Sequence, residues 1–375
     1  MSDRVILIAG GGTGGHVFPA VAVAEAARVL ADVDVVFCGT ARGLEASVIP
    51  QRGFRLEQIQ VEPIKGVGAA RALRGLFVAA RATRSALVAF RGIRPRAVLS
   101  VGGYAAGPAA LAAAMNGVPL AILEPNSVAG VTNRIVGPFA KRAYIAWEET
   151  RTNFRTSAIR KYGVPIRSGF ALRPYSAHRP PRLLVIGGSQ GSQALNDRLP
   201  AAVADLASRG VVVEVLHQAG RGRDDGVRKA YDRAGVEGAT VVPFIDDMVQ
   251  AVSNADLVVS RAGAGTIAEV TAIGRAALLV PFPDAADDHQ AKNAAALARH
   301  GAAVSLLQRD ASPARLATEA ERMLRDESLR VAMANAAASL GRPAAAYDVA
   351  ADLLALARLP LRERDAAAPE GGRPV

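Results

Sequence analysis

The sequence predicts an α/β protein with two Rossmann-like domains, each built around a doubly wound parallel sheet. Short β-branched runs alternate with helical patterns in the first half of the chain, and the alternation restarts after Pro180-Pro181. Such alternation is typical of parallel sheets. A glycine-rich turn stands near the start of each half, at residues 10–15 and 187–192. The 375 residues are enough for about two domains, each with its own core.

The predicted strands are apolar runs that end in glycine or polar turns. In the first half they are residues 4–9, 33–38, 55–60, 97–100, 120–123 and 143–146. In the second half they are residues 183–186, 211–216, 240–242, 257–260 and 277–280. Helical patterns run from Pro313 to about Leu356 and are interrupted at residues 341–343.

The position of proline and glycine divides the chain into domains. The first domain is predicted over residues 1–164 and the second over residues 165–341. A last helix at about residues 342–358 is expected to pack back on the first domain. The tail, residues 360–375, has almost no large apolar side chains and is predicted to be disordered.

The composition of the chain indicates which kinds of partner to expect and in which compartment the protein lies. The net charge of +11 favours anionic partners, such as phosphorylated substrates or an acidic membrane surface. Aromatic residues are scarce and are not interleaved with the basic runs, so no nucleic-acid interface is expected. The sequence contains no run of about 20 strongly apolar residues, so no transmembrane helix is expected. The first residues lack the features of a signal peptide. A cytoplasmic protein is expected, in which the single cysteine, Cys38, packs in the core.

The first glycine-rich turn has the spacing of a dinucleotide site but lacks the acidic partner. Gly10, Gly12 and Gly15 follow a strand and precede a helix, as in NAD-binding folds. Those folds also carry an acidic residue at the end of the second strand, where residues 37–40 read Phe-Cys-Gly-Thr. The turn is therefore interpreted as an open loop that ends in His16, whose imidazole can accept a proton near neutral pH. Helix capping is the alternative role for this histidine.

Polar residues follow the other predicted strands, at the edge where open α/β sheets bind ligands. In the first half they include Gly103, Tyr104, Glu124, Asn126 and Asn133. In the second half they lie at residues 187–192, 244–248, 260–269 and 287–293. These residue types suit hydrogen bonds to sugar hydroxyls and phosphates, although Asn126 also suits a helix cap. The sequence contains no Walker A motif, zinc-spaced cluster or nucleophile elbow.

Taken in order, these motifs resemble the MurG family of bacterial lipid I N-acetylglucosaminyltransferases. They are Gly11-Gly12-Thr13-Gly14-Gly15-His16, Gly102-Gly103-Tyr104, Glu124-Pro125-Asn126 through Asn133, Gly187-Gly188-Ser189, Phe244-Ile245-Asp246-Asp247-Met248, Ser260-Arg261-Ala262-Gly263 through Glu269, and Asp288-His289-Gln290 with Asn293. The resemblance implies a GT-B fold, with the acceptor domain first and the UDP-GlcNAc domain second. It also implies inverting transfer of GlcNAc to the muramoyl 4-hydroxyl of lipid I, which forms lipid II.

The same resemblance implies roles for individual residues. His16 and Glu124 are the catalytic candidates. Residues expected to contact the donor are Thr13, Gly14, Gly15, Asn126, Arg167, Ser189, Ile245, Ala264, Gly265, Thr266, Glu269, His289 and Gln290. Residues expected to contact the acceptor are Gly12, Gly103, Tyr104 and Asn133. No cofactor is required: a divalent cation on the donor is compatible with the sequence, but no metal motif is present.

A lipid acceptor places the protein on a membrane. The expected partners are UDP-GlcNAc, lipid I, the anionic inner surface of the cell membrane and proteins of cell-wall synthesis, with the chain peripheral on the cytoplasmic face. The stretch from Lys65 to Arg91 interleaves arginines with apolar side chains, which suits a helix lying on such a surface; a helix packed on its own domain is the alternative. The alternative functions are another sugar-nucleotide enzyme of this fold, such as a UDP-GlcNAc 2-epimerase or a transferase to a soluble acceptor, and a nucleotide-binding protein without catalysis.

Overall fold

The computed structural model describes residues 4–41, 43–59, 69–155, 158–188 and 191–362. The chain divides into two compact units. Unit 1 comprises Met1–Ser168 and Ala344–Val375, and unit 2 comprises Gly169–Pro343. Most of the predicted disordered tail, from residue 363 on, lies outside the described residues.

Unit 1 contains a parallel sheet of seven strands among its described residues. The strands are β1 Val5–Ala9, β2 Asp34–Gly39, β3 Arg55–Gln58, β4 Ala97–Ser100, β5 Leu120–Glu124, β6 Arg142–Ile145 and β7 Ile159–Lys161. Their order in the sheet is β3-β2-β1-β4-β5-β6-β7. The helices are α1 Gly14–Leu30, α2 Glu45–Gln51, α3 Ala69–Ile93, α4 Ala106–Met115 and α5 Val131–Val136, with 3₁₀ turns at Gly137–Phe139 and Glu148–Asn153.

Unit 2 contains a second parallel sheet, of six strands in its described part. The strands are β8 Arg182–Ile186, β9 Glu214–Gln218, β10 Thr240–Val242, β11 Leu257–Ser260, β12 Ala277–Leu279 and β13 Ala303–Ser305. Their order is β10-β9-β8-β11-β12-β13. The helices are α6 Gln193–Ser208, α7 Asp224–Arg233, α8 Met248–Ser253, α9 Ala264–Ile273, α10 His289–Arg299, α11 Pro313–Arg325 and α12 Glu327–Leu340, with a 3₁₀ turn at Ala286–Asp288. The chain then returns to unit 1 as α13 Ala345–Leu356, which packs against α1.

Apolar side chains cover both faces of the unit 1 sheet, as expected for parallel strands that alternate sides. Ile6 and Ile8 of β1 join one apolar cluster, which includes residues of α1 and α13. Val5 and Leu7 of the same strand join the opposite cluster, together with Phe90 of α3. The rigid sheet between these layers fixes the positions of the loops that leave its carboxyl edge.

The predicted fold class is confirmed, since each unit is a doubly wound parallel sheet. The sequence does not predict β7 and β13, which read Ile-Arg-Lys and Ala-Val-Ser and so do not form sustained apolar runs. The strand predicted over residues 211–216 is displaced: β9 begins at Glu214 and continues through His217 and Gln218. These two polar residues are buried because they hydrogen-bond to neighbouring loops and side chains, which an apolar pattern does not reveal.

The strand order places a switch point in each sheet. It lies between β1 and β4 in unit 1 and between β8 and β11 in unit 2. Ligands of open α/β sheets bind outside the carboxyl ends of the strands at such points. The loops after these four strands are therefore the candidate half-sites.

Candidate active site

The first glycine-rich turn joins β1 to α1 and is held by a buried carboxylate. The N–H of Gly12 donates to Glu45 Oε2 at 2.7 Å. Oε1 accepts from the Thr40 N–H at 3.0 Å and from the Thr40 hydroxyl at 2.7 Å. Glu45 is 1% exposed. Burial raises the pKa of a carboxyl group, but these hydrogen bonds outweigh it and hold the pKa of Glu45 below its usual value.

His16 lies in the first turn of α1, beside the loop that follows β4. Thr13 is the N-cap residue of α1, and its carbonyl accepts the N–H of His16 at 3.1 Å. The Thr13 hydroxyl lies 3.3 Å from His16 Nδ1. A Cβ built on Gly102 would lie 3.2 Å from His16 Nε2 and 3.5 Å from the side-chain nitrogen of Asn133. The imidazole therefore sits at the switch point of unit 1.

The loop after β4 packs directly on the first glycine turn. Gly103 has φ +84°, and a Cβ there would lie 2.5 Å from the carbonyl oxygen of Gly11, so only glycine fits. The Thr132 hydroxyl donates to the Gly103 carbonyl at 3.2 Å. Tyr104, the next residue, is 55% exposed. This loop thus joins the first turn to α5 and presents an aromatic ring to solvent.

Glu124 is the last residue of β5, and both of its carboxylate oxygens accept hydrogen bonds from the following loop and α5. Oε1 accepts from the N–H and the side-chain amide of Asn126, at 3.1 and 3.3 Å. Oε2 accepts from the Gly130 N–H at 2.9 Å and from Asn133 Nδ2 at 3.0 Å. The residue is 2% exposed, and burial raises the pKa of Glu124 above its usual value despite these bonds. The carboxylate therefore orders the whole loop from β5 to α5.

Asn133 is a buried bridge between strands and helix. Its Oδ1 accepts from the Ser100 hydroxyl at 3.0 Å, and its Nδ2 also donates to the Leu123 carbonyl at 3.1 Å. Ser100 ends β4 and Leu123 belongs to β5. Asn133 thus fixes α5 to the two strands beside His16.

The second glycine-rich turn joins β8 to α6. Gly191 has φ +74°, and its N–H donates to the Gly188 carbonyl at 3.0 Å. A Cβ on Gly191 would lie 2.1 Å from the carbonyl oxygen of Ala219. The side chain of Ser192 caps α6. Ser189, which is predicted to contact the donor, lies outside the described residues.

Uncharged polar groups support this second turn. Gln218 Nε2 donates to the Gly188 carbonyl at 2.7 Å. Asn196 Nδ2 donates to the Ala219 carbonyl at 2.9 Å, and its Oδ1 lies 3.1 Å from His217 Nε2. Burial lowers the pKa of His217 to about 4, so the imidazole is neutral at physiological pH. Each of these supporting contacts is therefore made without a net charge.

The helix that follows β11 begins at the same edge of unit 2. Gly263 precedes α9 and makes no side-chain cap, so the first N–H groups of residues 264–266 are not taken by a capping side chain. Glu269 lies one turn further along and is half-buried. Because β8 and β11 are parallel neighbours, the start of α9 and the second glycine turn lie at one edge. Ile245 follows β10 and is buried.

The loop before α10 is tied to the start of α9. The Phe282 N–H donates to Gln290 Oε1 at 3.1 Å. Asn293 is buried, and its Nδ2 donates to the Ala262 carbonyl at 3.3 Å. His289 is the first residue of α10. The predicted sugar-binding residues therefore lie on an element anchored beside α9.

Known proteins match both units. Residues 6–145 match the glycosyltransferase family 28 N-terminal domain, and residues 182–350 match the family 28 C-terminal domain. A protein of Sorangium cellulosum (strain So ce56) is 49% identical over 95% of this chain and 89% of its own length. It is named UDP-N-acetylglucosamine--N-acetylmuramyl-(pentapeptide) pyrophosphoryl-undecaprenol N-acetylglucosamine transferase. The crystal structure of Acinetobacter baumannii MurG aligns with a TM-score of 0.78 and 34% identity, over 94% of this chain and 99% of that one. This chain belongs to the MurG family.

A more distant likeness shows the fold alone. The crystal structure of CalG4, the calicheamicin glycosyltransferase, aligns with a TM-score of 0.65 at 19% identity, over 95% of this chain and 99% of that one. The predicted GT-B class and the predicted MurG family are confirmed, whereas the roles of single residues in this MurG-family chain stay predictions.

The structure divides the predicted site residues between the two units. Unit 1 carries Gly12, Thr13, Gly14, Gly15, His16, Gly103, Tyr104, Glu124, Asn126, Asn133 and Arg167. Unit 2 carries Ile245, Ala264, Gly265, Thr266, Glu269, His289 and Gln290. The N–H of Gly12 is already donated to Glu45, so the predicted acceptor contact of Gly12 does not use that group. Arg167 lies next to the last residue of the first segment of unit 1.

Sequence reasoning missed the residues that support the two turns. Glu45 lies five positions beyond Thr40, where the acidic residue of a dinucleotide site is sought and not found. An acidic residue at the start of α2, shortly after Gly39 and Gly43, is the available signal. Nothing in the local pattern marks Gln218, because its role depends on a turn 30 residues away.

The described residues contain neither a metal-binding cluster nor a helix that could span a membrane. Over the described residues, no cluster of three or more His, Cys, Asp or Glu side chains is arranged to hold a metal ion. None of the helices described has the length and apolar character needed to cross a membrane. Cys38 is buried, and burial raises the pKa of its thiol to about 12, which fits a packed core residue.

Proposed function

We propose that this MurG-family chain transfers N-acetylglucosamine from UDP-GlcNAc to the muramoyl 4-hydroxyl of lipid I, with inversion at the anomeric carbon. The transferase name of a relative 49% identical over 95% of the chain supports this activity. A relative from Alkalilimnicola ehrlichii bears the same name at 45% identity, over 94% of this chain and 99% of its own length. The structural observation that carries the proposal is the difference between the two glycine turns.

Unit 2 is proposed to bind the donor. The diphosphate would meet the second glycine turn and the start of α9, where backbone N–H groups and helix dipoles favour an anion. The groups that support this turn are neutral, so no nearby carboxylate in that network opposes the phosphate charge. When UDP leaves, the same N–H groups would stabilise its added negative charge. Ile245, Glu269 and Gln290 would contact uracil, ribose and the GlcNAc hydroxyls respectively.

Unit 1 is proposed to supply the base, His16. The arrangement in which Nδ1–H donates to the Thr13 hydroxyl oxygen places the imidazole lone pair on Nε2. Nε2 would accept the proton of the acceptor 4-hydroxyl while that oxygen attacks the anomeric carbon. The bond from this carbon to the UDP oxygen breaks, which inverts the configuration. Catalysis requires acceptor and donor to be bound at once, with the 4-hydroxyl oxygen held close to the anomeric carbon.

Glu124 is less suited to proton transfer than His16. Each of its carboxylate oxygens already accepts two hydrogen bonds from groups of its own loop. A base must present a lone pair to the substrate. We therefore assign Glu124 to ordering the loop that carries Asn126 and Asn133, and not to removing the proton.

The lipid acceptor is proposed to reach unit 1 from an anionic membrane surface on the cytoplasmic face. On the described part of α3, Arg81, Arg84 and Arg91 are exposed, and Val88 is 61% exposed. Phe90 packs into the core of unit 1, so it does not belong to a membrane-facing surface. Cationic side chains around an apolar one favour contact with acidic lipids.

Vesicle flotation tests the membrane contact. The double variant Arg81→Glu with Arg84→Glu should float with phosphatidylglycerol vesicles several-fold less than the unaltered chain, because each lost charge costs about 1 kcal/mol near the surface. Arg233→Glu, on unit 2, is the matched control and should float normally. Equal flotation of all three proteins would contradict the assignment of this surface.

A transfer assay tests the proposed reaction. Purified protein is incubated with radiolabelled UDP-GlcNAc and lipid I, and the lipid product is isolated and analysed for a β-1,4-linked GlcNAc. The proposal expects one labelled lipid and stoichiometric UDP. Release of UDP without a labelled lipid, or conversion of UDP-GlcNAc to its 2-epimer without acceptor, would overturn it and favour a different sugar-nucleotide enzyme.

A further inference from the structure

We propose that Glu45 is a positioning residue for His16, acting through the backbone of the first glycine turn. The inference rests on the proposed role of His16 as base. Glu45 belongs to α2 and is separated from His16 in sequence by the rest of α1 and by β2. Its carboxylate nevertheless holds the residue that precedes the cap of α1.

The carboxylate occupies a slot lined by glycines. A Cβ on Gly11 would lie 2.3 Å from Glu45 Cδ, one on Gly43 would lie 2.0 Å from Oε2, and one on Gly39 would lie 2.8 Å from Cγ. Side chains at these three positions are therefore incompatible with the carboxylate where it lies. The glycines come from two segments of unit 1, the first turn and the connection from β2 to α2, and both leave room for this one group.

The charge of Glu45 matches its surroundings. Its oxygens accept from the Gly12 N–H, the Thr40 N–H and the Thr40 hydroxyl, and all three groups are donors in these contacts. Together they keep the pKa of the carboxyl group low despite burial. An amide in the same place would turn its NH₂ group towards a donor, which replaces an attraction by a repulsion. The ionised carboxylate is therefore the form that holds the turn.

Thr13 couples the position of the Gly12 peptide to the position of His16. Thr13 follows Gly12, caps α1 and accepts the N–H of His16 on its carbonyl. The Thr13 side chain also contacts the His16 ring at Nδ1. A change in the Gly12 peptide therefore shifts both the start of the helix and the ring. A small displacement of a catalytic group lowers the rate of the chemical step far more than it weakens substrate binding.

The backbone of the first turn is not arranged to bind a phosphate at Gly12. The Gly12 N–H, which would face a phosphate in a dinucleotide site, is bonded to Glu45 instead. A buried carboxylate at this turn also repels a phosphate. The first turn therefore positions a base and does not bind a diphosphate through Gly12.

A double-mutant cycle on turnover tests the inference. Glu45→Gln, His16→Ala and the double variant are assayed for kcat and for the dissociation constant of UDP. Glu45→Gln should lower kcat by roughly 10-fold and His16→Ala by at least ~100-fold, with the double variant within about twofold of His16→Ala, because residues that act through one another are not additive. UDP affinity should not change in any of the three. Glu25→Gln on α1 is the matched control, because its carboxylate makes only an ion pair with Arg52, the residue that follows α2, among the contacts described.

Each outcome of the cycle decides one question. If the losses of the single variants multiply in the double variant, Glu45 acts independently of His16 and the inference is wrong. If His16→Ala turns over normally, the proposed base is wrong, whatever Glu45 does. If Glu45→Gln fails to fold, Thr40→Val removes one donor and leaves the carboxylate; a loss of kcat that disappears in the His16→Ala background supports the inference, and an undiminished loss overturns it.

Discussion

Both glycine-rich turns connect the first strand of a unit to its first following helix, but different groups hold them. In unit 1 the ionised carboxylate of Glu45 takes the Gly12 N–H. In unit 2 the amide of Gln218 and the neutral pair of Asn196 and His217 support the turn. A glycine spacing therefore does not by itself define a phosphate site. The charge of the supporting group indicates which turn can accept an anion, and this favours the second.

The largest expected effect separates chemistry from binding. His16→Ala should lower kcat by ~10² to 10³-fold, because a positioned general base contributes about that much. The dissociation constant of UDP, measured by titration calorimetry, should stay within about twofold, since UDP is assigned to unit 2. His300→Ala, an exposed histidine of unit 2, is the control. A variant that loses donor affinity and kcat equally would contradict the division of roles.

A donor contact in unit 2 should show the opposite behaviour. Glu269→Ala should weaken UDP binding by roughly 10-fold, the expected cost of one hydrogen bond to a charged group, with kcat at saturating donor nearly unchanged. Glu269→Gln, which keeps the shape, should lose less. Measurements with 2′-deoxy-UDP refine the test, because the loss should shrink when the hydroxyl is absent. An unchanged affinity in Glu269→Ala would remove this residue from the donor site.

The two units should also differ in how their stability changes at low pH. The pKa of His217 is about 4 in the folded chain against 6.5 ordinarily, so the unfolded chain binds the proton first. Stability is then complete above pH 6.5 and falls as the pH drops towards 4. Between pH 7.5 and 5 unit 2 should lose about 2 kcal/mol of unfolding free energy. Urea unfolding of His217→Gln, which does not titrate, should lack this loss; an equal loss would place its origin elsewhere.

Ionised Glu45 should stabilise unit 1 by less than neutral His217 stabilises unit 2, and this stabilisation should be lost at a lower pH. Its folded pKa lies below 4.5, so its stabilisation of unit 1 is present above pH 4.5 and is lost as the pH falls through the folded value. Glu45→Gln should therefore cost about 1 kcal/mol at pH 7, with the difference from the unaltered chain vanishing in stronger acid. A difference that does not depend on pH would mean that shape, and not charge, stabilises the turn.

The comparison also shows what sequence can and cannot predict here. Glycine turns after apolar runs predict both sheets and both turns, because the local pattern is sufficient for strand, turn and helix. Glu45 and Gln218 escape prediction because each meets its turn only after folding, from the start of α2 and from the strand beside β8. The sequence does not predict the end of β9 for the same reason. His217 is unsuited to a buried strand unless a partner such as Asn196 lies beside it. The glycine turn and the family resemblance both indicate His16, but the physical reason for its position comes from the structure.

A matched pair of glycine variants tests the central claim most directly. Gly191→Ala places a Cβ 2.1 Å from the Ala219 carbonyl oxygen in the second turn, and Gly11→Ala places one 2.3 Å from Glu45 in the first. Titration calorimetry with UDP on both folded variants should show at least ~30-fold weaker binding for Gly191→Ala, because the turn must open. Gly11→Ala should bind UDP normally while its turnover falls. Equal loss of UDP affinity in both variants would contradict the assignment of the donor diphosphate to the second turn and not to the first.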